Sequence, residues 1–292
     1  MKTVDTDIIT NTIKLEPASL EQCAEWKQLL GNKIVFKNGI YWEQIRKGFY
    51  QPIHFLQKLD PEQVKHPSLL SWGVRGAVDD KDRMKANGSS SYYTLENFKT
   101  FDFSMFSQKR RENIRKCFNR VEIREIKDEN ILLEQGYDVV KSSMERTRYK
   151  RLISKESYLK KCNVYVNKGD NSHLVLGAFQ DNKLLAYGEM YAVENTAYMM
   201  NMLIATEALK YGVSAGLFYT QYVLAQHSKN ITELYAGGYT PDDSSLDTFK
   251  NSMCLTVKRV PFFSRVIKPA SLLLHMFYIS EYIQLLGGTL SI

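Results

Sequence analysis

The sequence predicts an α/β (α+β) chain built on a mixed central sheet flanked by helices, and three observations carry that prediction. From residue 101 onward, short apolar runs rich in β-branched and aromatic residues alternate with longer segments of helical periodicity. A long apolar segment follows a glycine-bearing turn and reads as one continuous helix. The chain, with 292 residues of which 44% are hydrophobic, is long enough to bury a large core in one big domain or two smaller ones.

The first hundred residues read as a mixed, aromatic-rich subdomain. Ser19 is placed to cap a helix to Leu30, because Cys23, Trp26, Leu29 and Leu30 recur at helical spacing. From Tyr41 to Gly76 aromatics are punctuated by Pro52, Pro61, Pro67, Gly73 and Gly76, which predicts irregular structure with a short helix at Pro61 to Val64. Asn87 to Ser91 reads as the loop dividing a 1–100 subdomain from a 101–292 domain.

The second part is more regular. A helix opens at Gln108 and gathers Ile114, Cys117, Phe118 and Val121 on one stripe. A strand at Val121 to Ile126 follows, then a helix from Asp128 to Arg148 with Leu133, Tyr137, Val140 and Met144 on its apolar face. His173 to Phe179 and Leu184 to Val193 form two strands hinged by a polar turn, and Ala197 to Ala205 forms a third. Next come the glycine-bearing entry Tyr211 to Gly216, an apolar helix to His227 and a strand at Ile231 to Ala236. Gly237-Gly238, a polar helix from Ser245 to Met253 and a strand at Leu255 to Val260 complete it. The order from His173 is β-β-β-α-β-α-β. Ser271 to Leu286 is broken by His275, Glu281 and Gln284, falls short of a bilayer span, and reads as a core helix.

Composition and motifs exclude several functions. Cys23, Cys117, Cys162 and Cys254 are scattered, with no histidine at metal spacing, so neither a disulfide framework nor a metal site is indicated and a cytoplasmic location is expected. The polar N-terminus does not resemble a secretory signal. The sequence holds no nucleophile elbow, phosphate-binding loop or zinc-protease helix, which argues against a hydrolase or NTPase. The net charge of +7 is local: residues 109–127 carry +5, residues 141–161 carry +6, and the remainder is net negative. A cationic face on the helix from Gln108, with Arg111, Arg115 and Lys116, fits either a solvated surface or an anion-binding patch.

The strand order and the glycine turn before the long helix resemble the GNAT acyltransferase fold. In that family, backbone N–H groups at a helix N-terminus bind the coenzyme A pyrophosphate. The matching segment is Leu209-Lys210-Tyr211-Gly212-Val213-Ser214, which keeps the first glycine of the family loop, has serine at the second, and lacks the leading Gln or Arg. The cofactor-binding residues implied are Gly212, Val213, Ser214, Ala215 and Gly216; the two glycines fit equally a plain turn and a packing contact. A second resemblance, to FemAB-like proteins, rests on the basic entry segment Ser104 to Lys116 and on Glu233 to Gly237 followed by Phe249-Lys250. Such proteins commonly carry two GNAT lobes, so residues 1–100 are expected to be a reduced or diverged first lobe.

These resemblances imply an N-acyltransferase passing an acyl group, acetyl first, from acetyl-CoA or another acyl-CoA to a small-molecule or peptide amine. An aminoacyl-tRNA-dependent Fem-type transferase is the alternative, and a noncatalytic module binding nucleic acid or an anionic surface is a third reading. The acceptor attacks directly, so the site needs a base, positioning and a proton for the leaving group. Glu233 and Glu189 are the candidate bases; Glu189 shares a strand face with Tyr187 and Tyr191 and fits also a solvent-facing edge position. Tyr235 and Tyr239 are the candidate proton donors. Arg111, Arg115, Lys116 and Lys250 are candidate substrate contacts, as are Arg146, Arg148, Tyr149 and Lys150.

Overall fold

The computed structural model describes residues 6–147, 152–166, 171–239, 244–277 and 285. In chain order the main elements are α1 (Thr6–Thr12), α2 (Leu20–Leu29), β1 (Ile34–Lys37), β2 (Ile40–Arg46), β3 (Phe49–Pro52), β4 (Lys58–Leu59), β5 (Gly73–Val78) and β6 (Gly88–Thr94). They continue with α3 (Gln108–Arg120), β7 (Glu122–Glu125), α4 (Glu129–Ile131), α5 (Tyr137–Thr147), α6 (Lys155–Tyr165), β8 (His173–Gln180), β9 (Lys183–Val193) and β10 (Thr196–Ile204). The last are α7 (Val213–His227), β11 (Glu233–Tyr235), α8 (Ser244–Ser252), β12 (Thr256–Val266) and α9 (Lys268–Phe277). Two compact units divide these elements between them.

The first unit comprises Met1–Ala18, Tyr93–Gly237 and Pro241–Thr256. Its five-stranded sheet runs β11-β10-β9-β8-β7, antiparallel except for the β10–β11 pair. One face is covered by the helices between β7 and β8: Ile126, Leu132, Val139, Val140, Tyr158 and Cys162 pack with Val175 and Tyr187 of the sheet. Alternation puts Gly188 on the opposite face, where it meets Gln221 of α7. The helix predicted from Asp128 to Arg148 forms as α4 and α5 joined by a π-helical turn over Leu132–Gly136.

Three features hold α7 in place. Gly212, at φ +75°, closes the preceding 3-10 turn and is its N-cap. At the other end the Lys99 ammonium donates to the carbonyls of Ala225, Gln226 and Ser228, which places a cation on the negative end of the helix dipole. Helix α3 lies along α7 with Ile114 and Cys117 buried.

The second unit comprises Ser19–Tyr92, Gly238–Thr240 and Val257–Ile292. Its sheet runs β1-β2-β3-β5-β12-β6, with β4 paired to β5. Ile40, Trp42, Tyr50, Leu59, Val64 and Val74 form the core against Val35 and Phe263. Helix α2 starts in a capping box in which Ser19 Oγ accepts from the Gln22 N–H and Gln22 Oε1 accepts from the Ser19 N–H.

Three segments lie differently from the sequence expectation. The division at residue 100 does not describe the two units, because Met1–Ala18 belongs with the first and Val257–Ile292 with the second. The run Tyr41 to Gly76 has the expected short helix, as a 3-10 turn at Pro61–Gln63, but also holds most of β2 and all of β3 and β4, and Gly88–Thr94 is a strand in place of the expected loop. Its serines are drawn into the sheet by a long-range clamp: Asn87 donates to the Ser264 carbonyl at 2.8 Å and accepts from the Ser264 N–H at 2.9 Å. The C-terminal segment also departs from a core helix in its described part, since Leu272 and Met276 of α9 are each 62% exposed. Among the described residues, no helix is long and apolar enough to cross a membrane.

Candidate functional site

The parallel strands β10 and β11 pair only over Thr196–Tyr198 and Glu233–Tyr235. Beyond that point β10 bulges between Met199 and Met202 and continues to Ile204, whereas β11 stops. The strands therefore part at their C-terminal ends. The N-terminus of α7 is reached from that end of β10, and the Ala236-Gly237 segment leaves from that end of β11. Crevices at the carboxyl ends of parallel strands, beside a helix N-terminus, are recurrent ligand sites.

Lys250 of α8 reaches this end of the sheet. It is 8% exposed, its Nζ donates to the Ala236 carbonyl at 2.5 Å, and it stands 4.5 Å from the Phe218 ring centroid and 5.4 Å from that of Tyr93. Gly237, at φ +98°, carries the chain around the ammonium; a Cβ there would lie 3.6 Å from Nζ. Among the described residues no carboxylate forms an ion pair with Lys250. Burial lowers its pKa to about 8, so the amine still carries its proton at pH 7. Among the described residues, one carbonyl and two ring faces are what stabilise the cation.

A second cation lies nearby. Arg110 of α3 stacks 5.2 Å from the ring of Phe249, the residue before Lys250. It donates to Ser252 Oγ and leaves its buried Nε without a partner among the described residues. Burial pulls its pKa down. Phe249 in turn meets Phe218 edge-on at 5.2 Å, and Tyr93 donates its hydroxyl to Asp247. Arg110, Tyr93, Phe218 and Asp247 escaped the sequence reading. Only the basic run around Arg110 could have signalled one of them; the rest depend on chain segments far apart.

The sequence-predicted residues fall into distinct places. Arg111 donates from Nη1 to the carbonyls of Ser104 and Phe106, each at 2.7 Å, and so ties down the segment preceding α3. Arg115 stacks 5.2 Å from Phe103, and Lys116 is exposed. Among the described residues none of the three pairs with a carboxylate. The first turn of α3 holds Lys109, Arg110 and Arg111 and no acidic residue, an arrangement the helix dipole disfavours.

Glu189 lies in β9, a central strand, and not at a sheet edge facing solvent. It is buried with Oε2 3.9 Å from His173 Nε2, on the face shared with Tyr187 and Tyr191. Glu233 is half-buried at the start of β11, opposite Thr196, on the strand face it shares with Tyr235. Registers place His173, Tyr191, Tyr198 and Tyr235 in one row across four strands, with Tyr191 and Tyr198 stacked at 4.8 Å. Tyr239 belongs to the second unit, where its N–H donates to the Ser91 carbonyl. Arg146 donates to the Ile204 carbonyl at 3.2 Å; Arg148, Tyr149 and Lys150 lie outside the described residues.

In the glycine turn, Val213, Ala215 and Gly216 are buried, and Gly212 and Ser214 are half-buried. A Cβ added at Gly212 would come 2.5 Å from the Asn113 carbonyl oxygen, and one at Gly216 would come 2.9 Å from Cys117 Cβ. Both glycines thus permit close approach of α3 to α7.

No protein-family model matches the sequence, and no curated protein matches it. Solved structures do. FemX superposes with a TM-score of 0.60 over 87% of this chain and 92% of that chain, at 11% identity. The L-PGS from Bacillus licheniformis gives 0.53 over 95% and 99%, at 14% identity. The C-terminal domain (DUF2156) of a putative lysylphosphatidylglycerol synthetase from Agrobacterium fabrum gives 0.51 over 94% and 99%, at 10% identity. Each likeness spans nearly the whole of both chains, and both units here are mixed α/β layers. The chain has the FemAB-like, GNAT-type fold.

Proposed function

We propose that this chain is an acyltransferase that moves an activated acyl group onto an amine, with the Lys250 ammonium stabilising the negative charge that develops on the acyl oxygen. The buried cation at the parting of β10 and β11, which forms no ion pair among the described residues, carries the proposal. A preorganised donor in a low-dielectric site is worth far more to a transition state than the same donor in water. In the reaction the acceptor nitrogen bonds to the acyl carbon, the bond from that carbon to the donor's oxygen or sulfur breaks, and one proton leaves the nitrogen as another reaches the leaving group. Glu233 is the proposed base and Tyr235, on the same strand face, the proposed proton donor. Glu189, held beside His173, is assigned to positioning of the strand.

Two observations favour an aminoacyl-tRNA ester over acyl-coenzyme A as donor. The backbone at Gly212 and Gly216, expected to lie open to a pyrophosphate, is in close contact with Asn113 and Cys117. The cations Arg110, Arg115 and Lys116 of α3, lacking carboxylate partners among the described residues, suit a polyphosphate backbone. Acetyl-CoA stands as the second reading, favoured by the half-buried Ser214 at the α7 N-terminus. The test supplies the full chain with aminoacyl-tRNA carrying labelled amino acid or with labelled acetyl-CoA, and with peptide amines and polyamines as acceptors. Transfer from the aminoacyl ester, lost in Lys250→Met, is expected. Transfer from acetyl-CoA with the ester inert overturns the donor assignment, and full activity of Lys250→Met overturns the role of the lysine.

A further inference from the structure

The second unit carries a surface unrelated to the site above. Leu69 and Leu70 are adjacent at the tip of the loop between β4 and β5 and are 104% and 83% exposed. Isolated exposed leucines need no explanation, but two consecutive ones, fully out of the fold, do. The loop is anchored firmly at its base: the Trp72 N–H donates to the Gly48 carbonyl at 2.9 Å, and the Trp72 indole donates to the Lys47 carbonyl at 2.6 Å. Gly48, at φ +78°, allows the Trp72 ring to lie on the β2–β3 turn. The leucines therefore project from a braced support.

The same support joins α9. The Ile267 N–H donates to the Trp72 carbonyl at 2.9 Å, which sets the start of α9 beside the loop. Ile267 is exposed, and Leu272 and Met276, one helical turn apart, expose the same side of α9. Three segments, 46–48, 65–72 and 267–276, are thus knitted into one surface by backbone hydrogen bonds. Its charge has a single sign. Arg46, Lys47, Lys65 and Lys268 are exposed on these segments, which contain no aspartate or glutamate.

We infer that this surface docks on an anionic phospholipid membrane, with Leu69 and Leu70 entering the headgroup boundary, α9 lying along it, and the four basic side chains meeting lipid phosphates. The composition is what such a surface requires: apolar groups to bury, a half-exposed tryptophan at the boundary, and cations around them. A protein partner or a second copy of this chain would call for acidic complementarity, which these segments lack for self-association.

The experiment is co-sedimentation of the full chain with vesicles of phosphatidylglycerol and phosphatidylcholine, against vesicles of phosphatidylcholine alone. Preferential partition onto the anionic vesicles is expected, weakened at high salt. Leu69→Asn with Leu70→Asn, at positions too exposed to matter for folding, should lower the partition at least tenfold, and Arg46→Ser with Lys47→Ser should remove most of the lipid-charge preference. Equal binding by the leucine variant, or no binding of the wild-type chain to anionic vesicles, overturns the inference. So does sedimentation equilibrium showing a dimer that the leucine substitutions abolish while vesicles go unbound. Acyl transfer by the leucine variant to a soluble amine should stay unchanged, so this inference fails or stands apart from the activity.

Discussion

Lys250 makes an unusual stability prediction because the charge proposed for chemistry is a burden on folding. Burial moves its pKa from an ordinary 10.5 to about 8. A tenfold change in proton affinity corresponds to about 1.4 kcal/mol, so the charged lysine costs the native state about 3 kcal/mol at neutral pH. The unfolded chain keeps this proton up to pH 10.5, whereas the folded chain releases it near pH 8. Between those values the unfolded state binds more protons, and stability rises with pH. The gain should reach about 2 kcal/mol between pH 8 and 9.5. Lys250→Met keeps the length of the side chain and removes the charge. It should be more stable than wild type at pH 7, by up to about 3 kcal/mol, and the advantage should shrink as pH rises. Urea unfolding of both proteins at closely spaced pH values from 7 to 9.5 measures the difference, from which other titrating groups cancel. A pH-independent difference, or a variant less stable than wild type at pH 7, would show that a negative partner neutralises Lys250 in the folded chain. The reasoning from an unpaired cation would then be wrong.

Other substitutions probe the frame of the site. Gly216→Ala drives a Cβ into Cys117 and should cost about 1–3 kcal/mol by overpacking; Cys117→Ala in the same chain should recover part of it, and a thermal melt reading no loss for the single variant refutes the close α3–α7 contact. Gly237→Ala forces a side chain to φ +98° and should cost about 1–3 kcal/mol while lowering transfer, through the displaced Ala236 carbonyl. Lys99→Met strips the cation from the C-terminal end of α7 and should destabilise by about 1–2 kcal/mol, seen as earlier hydrogen exchange in α7.

The first unit was legible wherever local periodicity and local chemistry coincide. The strands from His173 to Ile204, the long helix to His227 and the entry helix from Gln108 follow from spacing, because each buries a face set by its own neighbours. The second unit resisted because its order is made by distant partners. Gly88–Thr94 has three serines and no apolar alternation in its first half, and it becomes a strand beside the distant β12, to which Asn87 ties it by gripping Ser264, 177 residues away. Likewise Tyr41 to Gly76 looks irregular because its prolines lie at strand ends, where Pro52 pairs with Trp42 and Pro61 opens a 3-10 turn.

The candidate site shows the same division. Lys250 was visible as an aromatic-lysine pair following an acidic strand and a glycine, but its buried surroundings were not, since they depend on what Ala236, Phe218 and Tyr93 bring around it. The glycines were visible too, and the sequence left their use open between a cofactor turn and a packing contact for a physical reason. A glycine at a helix N-terminus frees space on whichever side lacks a neighbour, and the sequence does not say which side that is. Helix α3 fills it here, through Asn113 and Cys117. One basic helix thereby does two things: Asn113 and Cys117 pack against Gly212 and Gly216 at the start of α7, and its first turn sets Arg110 against Phe249, the neighbour of Lys250. The proposed preference for an aminoacyl-tRNA donor rests on this combination of close packing at the glycines with positive charge on α3. The donor assay and the Gly216→Ala melt therefore bear on a single point, the position of α3, and a loose α3 would return acyl-coenzyme A to first place.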